Sequence, residues 1–167
     1  MTSRPPNPSV SIIGAGKVGR SLYQLMGLVG MNASLIGRDP VAQGKAMRTA
    51  DIVLLTVPDG KIQALAETLA PECQDGTIVA HCSGALSSHR LTAIQQAGGR
   101  TASIHPLNTF PSVDAALARF NSVTHQSHAF VEGDPVAVDQ LSTLFEQLGF
   151  EVSHMHAESK VLYHAAC

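Results

Sequence analysis

The stretch Val10–Gly19, V-S-I-I-G-A-G-K-V-G, constrains the fold more than any other part of the chain. Four residues of strand character run into Gly14-x-Gly16-x-x-Gly19, and an apolar pattern of helical spacing follows at once. Strand, glycine turn and helix in that order are the setting in which this spacing cradles the pyrophosphate of a dinucleotide. Gly14 permits the tight turn, Gly16 lets the backbone approach a phosphate, and Gly19 lets the helix pack on the strand. Ala15, Lys17 and Val18 complete the turn, and the free N–H groups of the first helical turn face the phosphates.

At 167 residues the chain suffices for one well-buried domain and not for two. Residues 1–8 carry three prolines and no apolar run, which predicts a flexible tail and not a signal peptide. A net charge of −2 gives no electrostatic case for nucleic acid or an acidic membrane, and no run is long and apolar enough to span a bilayer. Cys73, Cys82 and Cys167 are odd in number and lack C-x-x-C spacing, so neither a disulfide framework nor a zinc site is expected. A reducing cytoplasm is the corresponding default compartment.

From Lys17 to about Val29 the residues Val18, Leu22, Leu25, Met26 and Val29 form one apolar stripe, predicting a helix. Ala33–Gly37 reads as a second strand, followed by Arg38. An acid at this place accepts hydrogen bonds from the ribose 2′-hydroxyl of NAD, whereas arginine suits a 2′-phosphate. The expected cofactor is therefore NADP(H) in preference to NAD(H), with Asp39 keeping NAD(H) open. Residues 40–49 read as a short link of one or two helical turns. Asp51–Val57 is a buried parallel strand ended by Pro58, and Asp59 is expected to cap a helix burying Ile62, Leu65, Ala66 and Leu69.

Thr77–Ala80 predicts a further strand leading to Ser83 and Gly84, then a helix over 86–97 capped by Ser87 or Ser88. Arg100–Ile104 predicts a strand ending at His105-Pro106-Leu107. After a weak segment with a short helix near Asp114–Phe120, His128–Glu132 is strand-like, and Asp134-Pro135 opens a helix in the cap-then-proline arrangement. Phe150–His154 is a last strand, and from Ala157 the pattern is helical, with Val161, Leu162 and Ala165 on one side.

Alternating apolar strands and helices predict an α/β fold: a doubly wound, mostly parallel Rossmann-type sheet with helices on both faces. Its expected extent is 9–155, with 156–167 as the first helix of a truncated further domain. Ligands of such sheets lie beyond the carboxyl ends of the strands. Gly14–Gly16, Arg38, Pro58-Asp59, Ser83-Gly84 and His105 all follow predicted strands, so one crevice can receive them all, and Val57, the last strand residue before Pro58, is counted with the cofactor-binding residues.

Together, G-A-G-K-V-G, L-I-G-R-D-P, A-D-I-V-L-L-T-V-P-D, A-H-C-S-G-A-L-S-S, S-I-H-P-L-N-T-F and K-V-L-Y-H-A-A resemble one family. It is the Rossmann-like oxidoreductases with a C-terminal domain of unknown function numbered 2520, often described as NADP oxidoreductases. Pyrroline-5-carboxylate reductases, β-hydroxyacid dehydrogenases and prephenate dehydrogenases are wider relatives. The resemblance implies a helical second domain that completes the active site and usually dimerises, of which this chain holds only the first helix, so a homodimer through that helix is expected. It also implies substrate contact by Lys160, with His164 where several relatives have asparagine, and by His105, in a stretch like the His-Pro-Met of prephenate dehydrogenases.

Hydride transfer belongs to a nicotinamide, so the protein must hold the substrate and handle one proton. Lys160 is the first choice for that role, as general acid or electrostatic stabiliser, with His105 and His164 as alternates. Ser83 and Gly84 are expected to anchor a small-molecule substrate. His125-x-x-His128 and His154-x-His156 lack acidic or cysteine partners at ligand spacing, so no metal is expected. Cys82 is expected to be a buried structural thiol. The preferred function is NADP(H)-dependent oxidoreduction at a carbonyl, imine or alcohol carbon. A non-catalytic dinucleotide-binding module, as cofactor sensor or truncated remnant, is the alternative, and a self-associating scaffold is a third reading.

Overall fold

A computed structural model of the chain describes residues 8–107 and 127–160. Residues 1–7 of the expected tail, the helix near Asp114–Phe120, and the residues His125, Val161, Leu162, His164 and Ala165 lie outside the described residues. Strand β1 (Val10–Ile13) passes through the glycine turn into α1 (Lys17–Leu28). Then come β2 (Ala33–Ile36), α2 (Pro40–Thr49), β3 (Ile52–Leu55), α3 (Asp59–Leu69) and β4 (Ile78–His81). A 3-10 turn, Ser88–Leu91, leads into the short α4 (Thr92–Gln96) and β5 (Arg100–Leu107). After it stand β6 (Ser127–Gly133), α5 (Pro135–Gln147), β7 (Phe150–His154) and a 3-10 turn, Ala157–Ser159.

The seven described strands form one sheet in the order β2-β1-β3-β4-β5-β6-β7. The first five are mutually parallel, β6 runs antiparallel to β5, and β7 is parallel to β6. This is a Rossmann-type α/β fold. Alternation along each strand divides the core in two. Val10, Ile12, Leu54, Ala80 and Ile104 meet Leu22 and Met26 of α1 and Leu141 and Phe145 of α5. Ile13, Val53, Leu55 and Val79 meet Met47 of α2, Ile62 and Ala66 of α3 and Ile94 of α4. No helix among the described residues is long and apolar enough to cross a membrane.

Several boundaries differ from expectation for identifiable reasons. Val29 leaves the α1 stripe and is 50 % exposed, because the helix ends at Leu28 and Gly30 turns the chain at φ +71°. Residues 40–49 are a full helix and not a short link, since the Asp39 side chain accepts from the Val41 N–H at 3.0 Å and Pro40 starts the first turn. The acid that kept NAD(H) open is thereby engaged as a helix cap. Asp59 is the first residue of α3 and does not cap it; its carboxylate accepts instead from the Ser83 hydroxyl at 2.9 Å. The helix expected over 86–97 is replaced by the 3-10 turn and α4, and neither Ser87 nor Ser88 caps it with a side chain: Ser87 makes no such bond, and Ser88 is held by Glu132. Strand β5 runs on through His105 and Pro106. Its pairing with β4 ends at Ser103, so the N–H that Pro106 lacks leaves no gap in that ladder.

Candidate functional site

Register lines the parallel strands up at their carboxyl ends. Ile13 pairs with Ile36 and Leu55, Leu55 with His81, and His81 with Ser103. Gly14, Gly37, Thr56 and Cys82 therefore begin their loops along one edge of the sheet, beside the stretch of β5 that continues past its β4 pairing from Ile104, and this edge is where this fold keeps its ligands.

The glycine turn is built for close approach. Gly14 adopts φ +125°, and a Cβ there would lie 2.7 Å from the Thr56 carbonyl oxygen. A Cβ on Gly19 would come within 1.9 Å of the Gly14 carbonyl oxygen and 2.6 Å of Thr56 Oγ1. The Thr56 hydroxyl donates to the Gly14 carbonyl at 2.8 Å, tying β3 to the turn. Gly16 occupies the N-cap position with nothing within 4 Å of the place a Cβ would take, and no side chain caps α1. Uncapped N–H groups facing open space suit an anionic group, so these residues fit a pyrophosphate. Ala15 is fixed by Arg20, whose Nε donates to its carbonyl at 2.8 Å; Lys17 is exposed and Val18 packs on the core beneath α1.

Arg38 borders a cavity of about 550 Å³ that Gln43, Val57, Pro58, Lys61 and Leu65 also line. No carboxylate lines it, and among the described residues neither Arg38 nor Lys61 makes an ion pair. Gln43 steadies the entrance by donating to the Gly37 carbonyl at 2.8 Å. Two cations over an apolar slot can take a flat ring that carries a phosphate.

The turn after β4 uses its polar groups internally. The Ser83 hydroxyl donates to Asp59 and accepts from the Ala85 and Leu86 N–H groups at 3.2 and 3.0 Å. The fully buried His81 ring accepts from the Ser83 N–H at Nδ1 (3.3 Å) and meets the Ser87 carbonyl at Nε2 (3.0 Å). Burial lowers its pKa, keeping the ring neutral, so Nε2–H is the donor to Ser87. Gly84 lies under His105: a Cβ there would meet ring atoms at 2.8–3.1 Å. The Cys82 thiol beside this turn is pushed up to about 12 by burial, which makes it a poor nucleophile.

Lys160 is only 1 % exposed. Its ammonium donates to the carbonyls of Ser83 (2.9 Å) and Leu86 (2.7 Å) and to the Ser103 hydroxyl, and lies 3.9 Å from a Glu132 oxygen. An ammonium has three protons, and all three have protein acceptors here. Desolvation lowers its pKa to about 8, against the raising effect of Glu132. In this geometry Lys160 holds the turn from beneath, while His105 keeps a half-buried place beside Gly84.

His128, His154 and His156 form no metal cluster among the described residues. His128 lies 3.6 Å from Glu151, His154 contacts the Ser142 hydroxyl at 3.5 Å, and no group of three or more candidate ligands occurs among the described residues. Sequence reasoning brings Gly14–Gly16, Arg38, Pro58, Asp59, Ser83, Gly84 and His105 to one crevice. It missed Thr56, Arg20, Lys61 and Glu132. Thr56 could have been found as the one hydroxyl that interrupts the apolar run ahead of Pro58; Glu132 announces itself only as a lone acid in an apolar strand.

The comparisons agree with this architecture. Residues 31–106 match a family described as a Rossmann-like domain. Comparison with curated proteins finds no match. Among solved structures, an imine reductase variant from Myxococcus stipitatus in complex with NAD+ is 17% identical with a TM-score of 0.73, over 96% of this chain and 59% of that one. The prephenate dehydrogenase of Aquifex aeolicus with hydroxyphenyl propionate and NAD+ is 16% identical with a TM-score of 0.69, over 95% and 63%. The Plasmodium falciparum pyrroline carboxylate reductase with NADP bound is 11% identical with a TM-score of 0.67, over 92% and 59%. The chain thus spans about three fifths of the length of these structures. At such identities the likeness establishes the fold: this chain carries a Rossmann-type domain whose structural neighbours include nicotinamide-dependent reductases and dehydrogenases.

Proposed function

We propose that the crevice along the strand ends binds NADP(H) and serves an oxidoreductase acting at a carbonyl, imine or alcohol carbon of a small molecule. The observation that carries this reading is the uncapped start of α1 above Gly16, opening on the same edge as the Arg38 cavity. In it Gly14–Gly19 hold the pyrophosphate, Val57 and Pro58 flank the adenosine, and Arg38 takes the 2′-phosphate. The resemblance to the family carrying domain 2520 belongs to this reading, as do the substrate class and a cytoplasmic site of action.

Bound NADP(H) supplies or receives the hydride. The chain's share is to hold the substrate against Ser83-Gly84 and to move one proton. Support for His105 in the second task is its half-buried ring over Gly84, set against a Lys160 whose protons are committed to the turn. In reduction, His105 would give its proton to the substrate oxygen or nitrogen. Titration of the chain with NADPH and NADH, repeated on Arg38→Asp, tests the cofactor part. NADPH binding at least tenfold tighter than NADH, lost in the variant, is the expected result; equal affinities would remove the 2′-phosphate contact from the account.

A further inference from the structure

Glu132 stands on β6 opposite Ser103 and is 5 % exposed. Its two oxygens accept separately from one residue, the Ser88 N–H at 2.7 Å and the Ser88 hydroxyl at 2.8 Å, and one of them lies 3.9 Å from Lys160. Lys160 in turn grips the other end of the same loop through the carbonyls of Ser83 and Leu86. Two buried charges thus pin the 83–88 turn at both ends.

Burying such a pair is expensive, and apolar side chains of equal volume would hold three segments together at lower cost. What the charges add is direction: each acceptor and donor has one place to sit. The turn they fix is the one whose Gly84 backbone packs against the His105 ring, with no room for a methyl group between them. We propose that Glu132 is a positioning residue: through Ser88 and Lys160 it sets the height of the Ser83-Gly84 peptide against His105, so that the segment entering at residue 155 and the ligand crevice are mechanically linked. The consequence for chemistry rests on the crevice reading above; the linkage itself does not.

The test is made on the free protein by NMR, comparing wild type with Glu132→Gln, which keeps the shape, and Ser88→Ala, which removes one hydrogen bond. Amide protection factors and the titration of the His105 ring are measured for each. The expected result is a loss of protection of about tenfold at Ala85, Leu86 and Ser88 in Glu132→Gln and a smaller loss in Ser88→Ala, with a displaced His105 titration in both and unchanged protection across β1 and β3. Unchanged turn amides, an unmoved His105 curve, or a uniform loss throughout the sheet would each overturn the proposal. NADPH is added to the wild type in the same series: failure to bind would count against the crevice reading and leave the turn measurements to decide the linkage.

Discussion

The buried ammonium of Lys160 makes stability rise with pH in a window where most proteins lose it. Desolvation lowers its pKa from the ordinary 10.5 to about 8 in the folded chain. Below pH 8 both folded and unfolded states hold the proton and the burial cost is present in full. Between pH 8 and 10.5 the unfolded chain keeps the proton and the folded chain has lost it, so the unfolded state binds more protons and raising the pH favours folding. At about 1.4 kcal/mol for each pH unit, the gain across that window is about 3 kcal/mol. The network accommodates the change, since a neutral amine still donates to Ser83 and Leu86 and can accept from the Ser103 hydroxyl. Urea unfolding of wild type and Lys160→Met at half-unit steps from pH 7 to 10.5 isolates the effect. Groups titrating in both proteins, the Cys82 thiol among them, cancel in the difference. The stability of wild type relative to the variant should climb by about 3 kcal/mol over the window. A difference that stays flat would refute the burial of the charge and the holding role built on it.

Two further outcomes follow from individual residues. Asp39→Ala removes the cap of α2 and should cost about 1 kcal/mol by urea unfolding, while the NADPH to NADH affinity ratio stays as it was; a changed ratio would assign the carboxylate to a ribose and not to the Val41 N–H. Gly19→Ala drives a methyl group into the Gly14 carbonyl and should lower stability by about 2 kcal/mol and NADPH affinity by tenfold or more, so an unimpaired variant would mean that helix and turn are not in contact.

The legible part of the chain is the part whose cause is local. β1 and α1 follow from four strand residues, a glycine turn and an apolar stripe, and α5 from the Asp134 cap, which accepts from the N–H groups of Val136 and Ala137 as expected. The same signal stands at Asp39-Pro40, yet α2 reads weakly because it buries only Gly44, Ala46 and Met47 and shows no strong stripe. The 86–97 region defeats local reading for a different reason. Leu86 and Ser88 are gripped by Lys160 and Glu132, 74 and 44 residues away, and helix is delayed until Thr92. In the site, residues that begin loops at strand ends were legible because the sheet gathers them without side-chain contacts. The commitment of Ser83 and Lys160 to the turn was not, since it depends on which donors meet which acceptors across the fold.

The measurement closest to the central claim is an amide-resolved titration of the isotope-labelled chain with NADPH. The account predicts that the amides of Gly16, Lys17, Val18 and Gly19 move first and furthest, joined by Arg38 and Val57, while the β6–β7 side of the sheet stays still. Shifts confined to that side, or none at millimolar NADPH, would contradict a dinucleotide crevice at the start of α1.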